Sequence, residues 1–228
     1  MNFKNEKLLV IAPHADDEVL GCGGLISKVK KEGGKVHVLI FNVGAVMKED
    51  SDKATKQWKK ETSEAMKFLK VDSFETIFDS ASDNRYLDAK PLHSLIQIIE
   101  RESKVSLEKI KPTIVAMPTN HSHHQDHVRV FEACIAALRP SRPPSPKMVI
   151  SYEAPEHSKW SVSGVFEPNF YINIEKYLKK KTDAFYKYKS QVKVGVRDEN
   201  SIRSQATYRG RDVGLKFCEA YFAHRILT

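Results

Sequence analysis

The segment Pro13-His14-Ala15-Asp16-Asp17-Glu18 sets one imidazole and three carboxylates within five positions. These are the side-chain types that hold a zinc ion and move a proton beside it. Adjacent Asp16 and Asp17 on a turn must point in different directions. One can then bind metal while the other takes a proton. A second segment, Asn120-His121-Ser122-His123-His124-Gln125-Asp126-His127, carries four of the chain's nine histidines. Two histidines and one carboxylate with an open position form a familiar catalytic zinc set. A histidine left without metal can polarise a carbonyl or hold an oxyanion. The bland readings are N-capping of a helix by Asp16 or Asp17 and a solvated histidine loop. Both segments falling at strand ends in one small domain weighs against that pair of readings.

The elements that must position these residues alternate. Leu8–Ala12 and Val36–Phe41 are apolar, strand-forming runs, and between them Val19–Lys31 has helical spacing that stops at Gly33-Gly34. Strand, helix, strand with short connections reads as a right-handed βαβ unit. The pattern continues with a helix at Asp52–Leu69, a strand at Glu75–Phe78 and a helix at Leu92–Glu100. Then come a strand at Pro112–Met117, a helix at Val128–Leu138 and a strand at Lys147–Tyr152. Both chemical segments therefore follow strands, at the carboxyl end of a sheet where open α/β folds bind ligands. Gly21, Gly23 and Gly24 let the first helix approach sheet or ligand closely. They match neither a dinucleotide fingerprint nor a phosphate loop.

The expected fold is α/β: a single Rossmann-like domain over 1–228, with a mostly parallel sheet and helices on both faces. A C-terminal elaboration begins at about 155. It comprises an antiparallel edge strand at Phe170–Ile174, a Lys-rich helix from Glu175 to Tyr188, and a helical stretch from about Ser201 to Ala223. Arg139–Pro146 reads as a rigid loop.

Composition narrows the class. The chain has 228 residues, 41% hydrophobic and 29% charged, which is ordinary for a folded domain and excludes disorder. No apolar run approaches the roughly 20 residues of a membrane span. Three scattered cysteines fit a reducing cytosol, so a cytoplasmic location is expected. The net charge of +8 admits nucleic acid, an anionic surface or an anionic small substrate.

Pro13–Glu18 together with His124-Gln125-Asp126-His127 resembles the PIG-L/LmbE-like family of zinc-dependent N-acetyl-sugar deacetylases. The family's motifs are usually His-Pro-Asp-Asp-Glu and His-Pro-Asp-His. Ala15 and Gln125 stand here at the proline positions, which supply no side chain to metal. The likeness extends through Phe166-x-Pro168, Tyr171–Ile174, Lys181, Tyr188-x-Ser190-Gln191, Arg209-Gly210 and Glu219-Ala220-Tyr221. It implies that His14, Asp17 and His127 bind one zinc, or another divalent metal, per chain. Asp16 would be the general base, and His124 would stabilise the oxyanion or protonate the leaving amine. Asp126 would orient His124 or a nearby ligand. Asp83 and Arg85 match a loop of the family's substrate pocket. Trp58 stands where relatives often carry a substrate-binding Arg ahead of Glu61, and there an aromatic can stack on a sugar.

The activity so implied is removal of acetyl from an N-acetylated amino sugar or its conjugate, a small molecule that the basic balance allows to be anionic. Arg203, Arg209 and Arg211 are the candidate anion contacts, with Arg209 placed at the substrate. The run Lys179-Lys180-Lys181 reads as a solvated face. Trp160 and Tyr152 are further candidates to line a sugar site. A basic nucleic-acid-binding protein with a vestigial metal site is the alternative of another class. It ranks lower because no nucleic-acid module is present and the charge is dispersed, so no nucleic-acid partner is expected. A metal-dependent phosphoesterase would need a second metal and more ligands. Helices after Ser190 offer an interface for a homo-oligomer.

Overall fold

The computed structural model describes residues 1–42, 51–80, 86–141, 145–154, 160–161, 163–192 and 197–227. Seven strands form one sheet in the order β3-β2-β1-β4-β5-β7-β6. They are β1 (Lys7–His14), β2 (Lys35–Asn42), β3 (Ser73–Phe78), β4 (Ile114–Pro118), β5 (Met148–Tyr152), β6 (Phe170–Asn173) and β7 (Cys218–Ile226). The first five run parallel. β7 runs antiparallel to both β5 and β6. The connections out of β1 and β4 diverge to opposite sides, which makes the gap between these strands the topological switch point.

Strand alternation divides the core between two faces. Leu8, Val10 and Ala12 of β1 join the larger cluster with Val36, Val38 and Ile40. Leu9 and Ile11 join the other with Leu39, Phe41, Val115 and Met117. The first face is covered by α1 (Asp17–Lys31), α2 (Ser51–Leu69), α6 (Leu178–Phe185) and α7 (Glu199–Arg211). The second is covered by α3 (Leu92–Gln97), its π-helical continuation Ile98–Glu102, the short α4 (Leu107–Ile110) and α5 (Gln125–Ala137). The α/β architecture with helices on both faces is as the sequence predicts.

Glycine decides how closely α1 lies on the sheet. A Cβ at Gly21 would stand 2.1 Å from the Tyr152 ring, so only glycine fits there. Tyr152 in turn donates its hydroxyl to the carbonyl of Ile11 at 2.9 Å, locking β5's end to β1.

Two expectations are corrected. The stretch from Ser201 to Ala223 is not one helix: α7 ends at Arg211, a turn through Gly214 (φ +71°) follows, and Cys218 begins β7. Lys181 is not on a solvated face. It is buried against Glu219, with Nζ 2.7 Å from Oε1, while Lys179 pairs with Asp183 on the surface. Glu219 also accepts the N–H groups of Gly24 and Leu25, both at 2.7 Å, so β7 is bonded into the middle of α1. Among the described residues, no helix is long and apolar enough to cross a membrane. The three cysteines are buried and unbridged.

Candidate metal centre and its surroundings

The end of β1 delivers His14, and a tight turn delivers the carboxylates. Asp16 has φ 107°, a left-handed conformation that strains any residue with a Cβ. Its N–H donates to Glu18 Oε2 at 3.0 Å, and its carbonyl accepts the N–H groups of Val19 and Leu20. The Asp16 side chain makes no capping bond, although the residue occupies the N-cap position of α1. Its carboxylate is thus not used in helix capping, while Asp17 and Glu18 lie in the first turn of α1.

The loop after β4 and the first turn of α5 deliver the second group. His124 is the N-cap of α5, its Nδ1 accepting the N–H of Asp126 at 3.3 Å. His127 lies in the first turn. The rings of His14, His124 and His127 converge, with centroids 4.7 Å (His14–His124), 5.3 Å (His14–His127) and 5.4 Å (His124–His127) apart.

Asp17 bridges the two segments. Its Oδ2 accepts the His14 N–H at 3.0 Å and stands 3.4 Å from His14 Nδ1 and 3.2 Å from His127 Nε2. Among the described residues, His14, Asp17 and His127 bring one donor atom each to within 4.8 Å of one another. Donors about 2.0–2.2 Å from a tetrahedral zinc stand roughly 3.3–3.6 Å apart, and the separations of Asp17 Oδ2 from the two ring nitrogens are close to that spacing. The donor set therefore fits a divalent ion. A second group, His14, His124 and Asp126, shares His14 with the first, so the two describe one centre rather than a pair.

Asp126 Oδ2 faces His14 Nε2 at 2.8 Å, and its Oδ1 accepts the N–H groups of Leu87 at 2.9 Å and Asp88 at 3.4 Å. The carboxylate thus orients His14, while the Asp126 backbone N–H donates to His124 Nδ1. This leaves His14 Nδ1 turned toward Asp17, the usual arrangement of a metal-binding histidine braced by a carboxylate.

Charge in the cluster follows from burial and neighbours. Burial lowers the His14 pKa, but hydrogen bonds and charge from Asp126 and Asp17 outweigh it and lift the value to about 9. Burial, with His14 and His127 nearby, pushes His124 down to about 4. His124 is therefore neutral at pH 7, and its accepting Nδ1 assigns the proton to Nε2. Burial drives the Asp16 carboxyl well above its ordinary range, Asp17 and Glu18 reinforcing this and Arg197 and His14 opposing it. Burial also lifts Glu18 to about 7, against the hydrogen bond that Tyr188 donates at 2.6 Å.

Other sequence candidates fall differently. Arg209 is expected at the substrate but is committed to protein carboxylates. Glu153 takes its Nε at 2.5 Å and Nη2 at 2.7 Å, and Asp212 faces Nη1 at 3.4 Å. That buried fork braces α7 against the end of β5. Trp58 packs on the first-face core with its Nε1 buried. Asp83 and Arg85 lie outside the described residues. The arginine that reaches the carboxylates is Arg197, whose Nη1 stands 3.0 Å from Asp16 Oδ2. Sequence reasoning missed it, because a single Arg in a segment without periodicity carries no local signal.

Comparison with known proteins places the chain in a family and finds the same fold elsewhere. The family model described as GlcNAc-PI de-N-acetylase, PIG-L, matches residues 9–138. The uncharacterized deacetylase YaiS of Escherichia coli (strain K12) is 27% identical over 192 residues, covering 82% of this chain and 92% of YaiS. The conserved protein TT1542 of Thermus thermophilus superposes with a TM-score of 0.75 at 22% identity, covering 97% of this chain and 96% of that one. N,N'-diacetylchitobiose deacetylase of Pyrococcus horikoshii superposes with a TM-score of 0.74 at 21% identity, covering 96% of this chain and 83% of that one. At these identities the two structures speak for the fold, while the family match spans more than half of the chain and includes both chemical segments. The chain belongs to the PIG-L family, described as GlcNAc-PI de-N-acetylases.

Proposed function

We propose that the protein is a zinc-dependent hydrolase that removes the acetyl group from an N-acetylated amino sugar or its conjugate, releasing acetate and the free amine. The observation that carries this reading is the convergence of His14, Asp17 and His127 donors at the switch point, with Asp16 next to them in sequence. These three residues would hold the ion. When bound, it would lower the pKa of a water toward about 7 and polarise the amide carbonyl.

The chain's own groups divide the remaining work. Asp16 takes the proton of the attacking water and returns it to the amine as the C–N bond breaks. Arg197 favours the ionised form of that carboxylate against the burial that opposes it. The Nε2–H of neutral His124 donates to the carbonyl oxygen as negative charge develops there. Asp126 holds the His14 ring in one orientation and one tautomer. Glu18, bonded to Tyr188 and to the Asp16 N–H, fixes the strained turn that aims Asp16.

The deciding experiment measures acetate release from N-acetylated amino sugars by zinc-loaded and chelated protein. Release that depends on restored metal is expected. Release unaffected by chelation, or none from any N-acetyl sugar, would overturn the reading.

A further inference from the structure

We propose that Glu61 is a positioning residue: through Ser190 and Gln191 it aims Arg197, and thereby fixes the Asp16 carboxylate beside the metal centre. This inference rests on the deacetylase reading and adds to it what holds the base in place.

Asp16 needs support from outside its own helix. Its side chain makes no capping bond, and its Oδ2 is held by Arg197 Nη1 at 3.0 Å. The same Nη1 donates to Gln191 Oε1 at 3.0 Å. Gln191 Nε2 donates to Ser190 Oγ at 3.3 Å, and the Ser190 hydroxyl donates to Glu61 Oε2 at 2.6 Å. Glu61 lies on α2, Ser190 and Gln191 lie beyond α6, and Arg197 precedes α7. The chain of bonds therefore ties three segments to the turn after β1. Glu61 and Gln191 are buried, which keeps water from replacing these bonds. The backbone beside Arg197 is fixed as well, because Asp198 and Ser201 form a capping box at the start of α7.

Donor and acceptor chemistry gives the chain one direction. Three donors converge on Glu61: the Ser190 hydroxyl, the Ser190 N–H at 3.1 Å and Gln57 Nε2 at 2.9 Å. The carboxylate accepts throughout, so the Ser190 hydroxyl points its proton at it. The hydroxyl oxygen is left to accept, and it takes the Gln191 amide N–H. That turns the Gln191 carbonyl oxygen toward Arg197, whose guanidinium can only donate. Both ends of the chain demand the same orientation of the Gln191 amide. In Glu61→Gln the shape is kept but the direction is not. The Ser190 N–H retains the new amide's oxygen, and its NH2 group faces the Ser190 hydroxyl. The Ser190 proton is then released to Gln191, whose NH2 is free to turn toward Arg197, donor against donor.

The test measures kcat, KM and zinc content with N-acetylglucosamine for wild type, Glu61→Gln, Ser190→Ala, Ser190→Thr and Arg197→Gln. Glu61→Gln and Ser190→Ala should each lower kcat about three- to tenfold, the range for one hydrogen bond, with KM and zinc unchanged. Ser190→Ala keeps the backbone bond to Glu61 and serves if Glu61→Gln does not fold. Ser190→Thr retains the hydroxyl and should retain kcat. Once Arg197→Gln is present, adding Glu61→Gln should cost less than about twofold more, because the chain is already cut. Equal losses with and without Arg197, a loss in KM alone, or Ser190→Thr as poor as Ser190→Ala would overturn the proposal. A readout without turnover is the guanidinium 15N–1H spectrum of Arg197, identified by its absence in Arg197→Gln. Its signals should be sharp in wild type and averaged by rotation in Ser190→Ala; unchanged signals overturn the proposal. Averaging in Ser190→Ala without acetate release from any sugar would keep the positioning role and sink the deacetylase reading. Acetate release with unchanged Arg197 signals would do the reverse.

Discussion

Arg197 and Asp16, 181 positions apart in sequence, meet through Nη1 and Oδ2 at 3.0 Å, and Gln191 Oε1 holds the same nitrogen at 3.0 Å. Asp16 is buried beside Asp17 and Glu18, an arrangement that favours its protonated form. The guanidinium opposes that tendency and favours the carboxylate. A contact between two distant segments thus biases the charge of the group on which turnover is proposed to depend.

Removing Arg197 should raise the Asp16 pKa, because a nearby cation favours the carboxylate. In Arg197→Gln the acid limb of the pH–rate profile should move to higher pH by about one unit, the low end for a close opposite charge. Activity should then fall more at pH 6 than at pH 8. A limb in its original place would show that Arg197 does not tune the base.

Asp16→Asn should retain metal while losing about 10²–10⁴-fold in kcat, the usual contribution of a positioned base. His127→Ala should lose both metal and activity. Metal content by mass spectrometry, measured beside acetate release, separates the two. Fast turnover by Asp16→Asn would exclude it as the base.

The chelated protein should lose stability as pH rises from 6.5 to about 9. His14 has a folded pKa of about 9 against 6.5 when unfolded, so its contribution is complete below 6.5 and is lost through 9. Below 6.5 two groups oppose each other. Glu18, raised from 4.5 to about 7, loses stability as pH rises, while His124, lowered to about 4, gains it. Thermal unfolding at pH 6.5, 8 and 9 reads the upper window. His14→Asn should flatten it.

Lys181→Met should destabilise the fold by about 3–5 kcal/mol, since it leaves Glu219 as a buried carboxylate without its cation. Lys179→Met, on the exposed pair with Asp183, should leave stability nearly unchanged. Urea unfolding of the two variants gives the contrast. Equal midpoints would mean that Lys181 is solvated after all.

Much of the centre is legible in the sequence because its donors sit in two short runs directly after strands. His14 to Glu18 and His124 to His127 need only β1 and β4 to be neighbours, which the sheet order shows and strand–helix alternation alone does not fix. Arg197, Lys181 and Glu219 are different. Each gains its meaning from a partner dozens of residues away, and a lysine within a run of three resembles any solvated helix face. β7 reads as helix because its first four residues are all buried, which hides the two-residue period, while Gly214 marks the break that ends α7.

The place of β7 in the sheet also governs how the molecule is made. It lies between β5 and β6, yet it is synthesised after both. At about 5–20 residues per second, the ribosome leaves the edge of β5 bare for roughly 4–15 s before β7 is complete. Until then an apolar strand edge, buried on both faces in the finished sheet, is open to pairing with other chains. Glu219 arrives with that same strand, so α1 receives its carboxylate only when the sheet closes. The seating of α1 and the protection of the nascent chain from aggregation are completed by one late event.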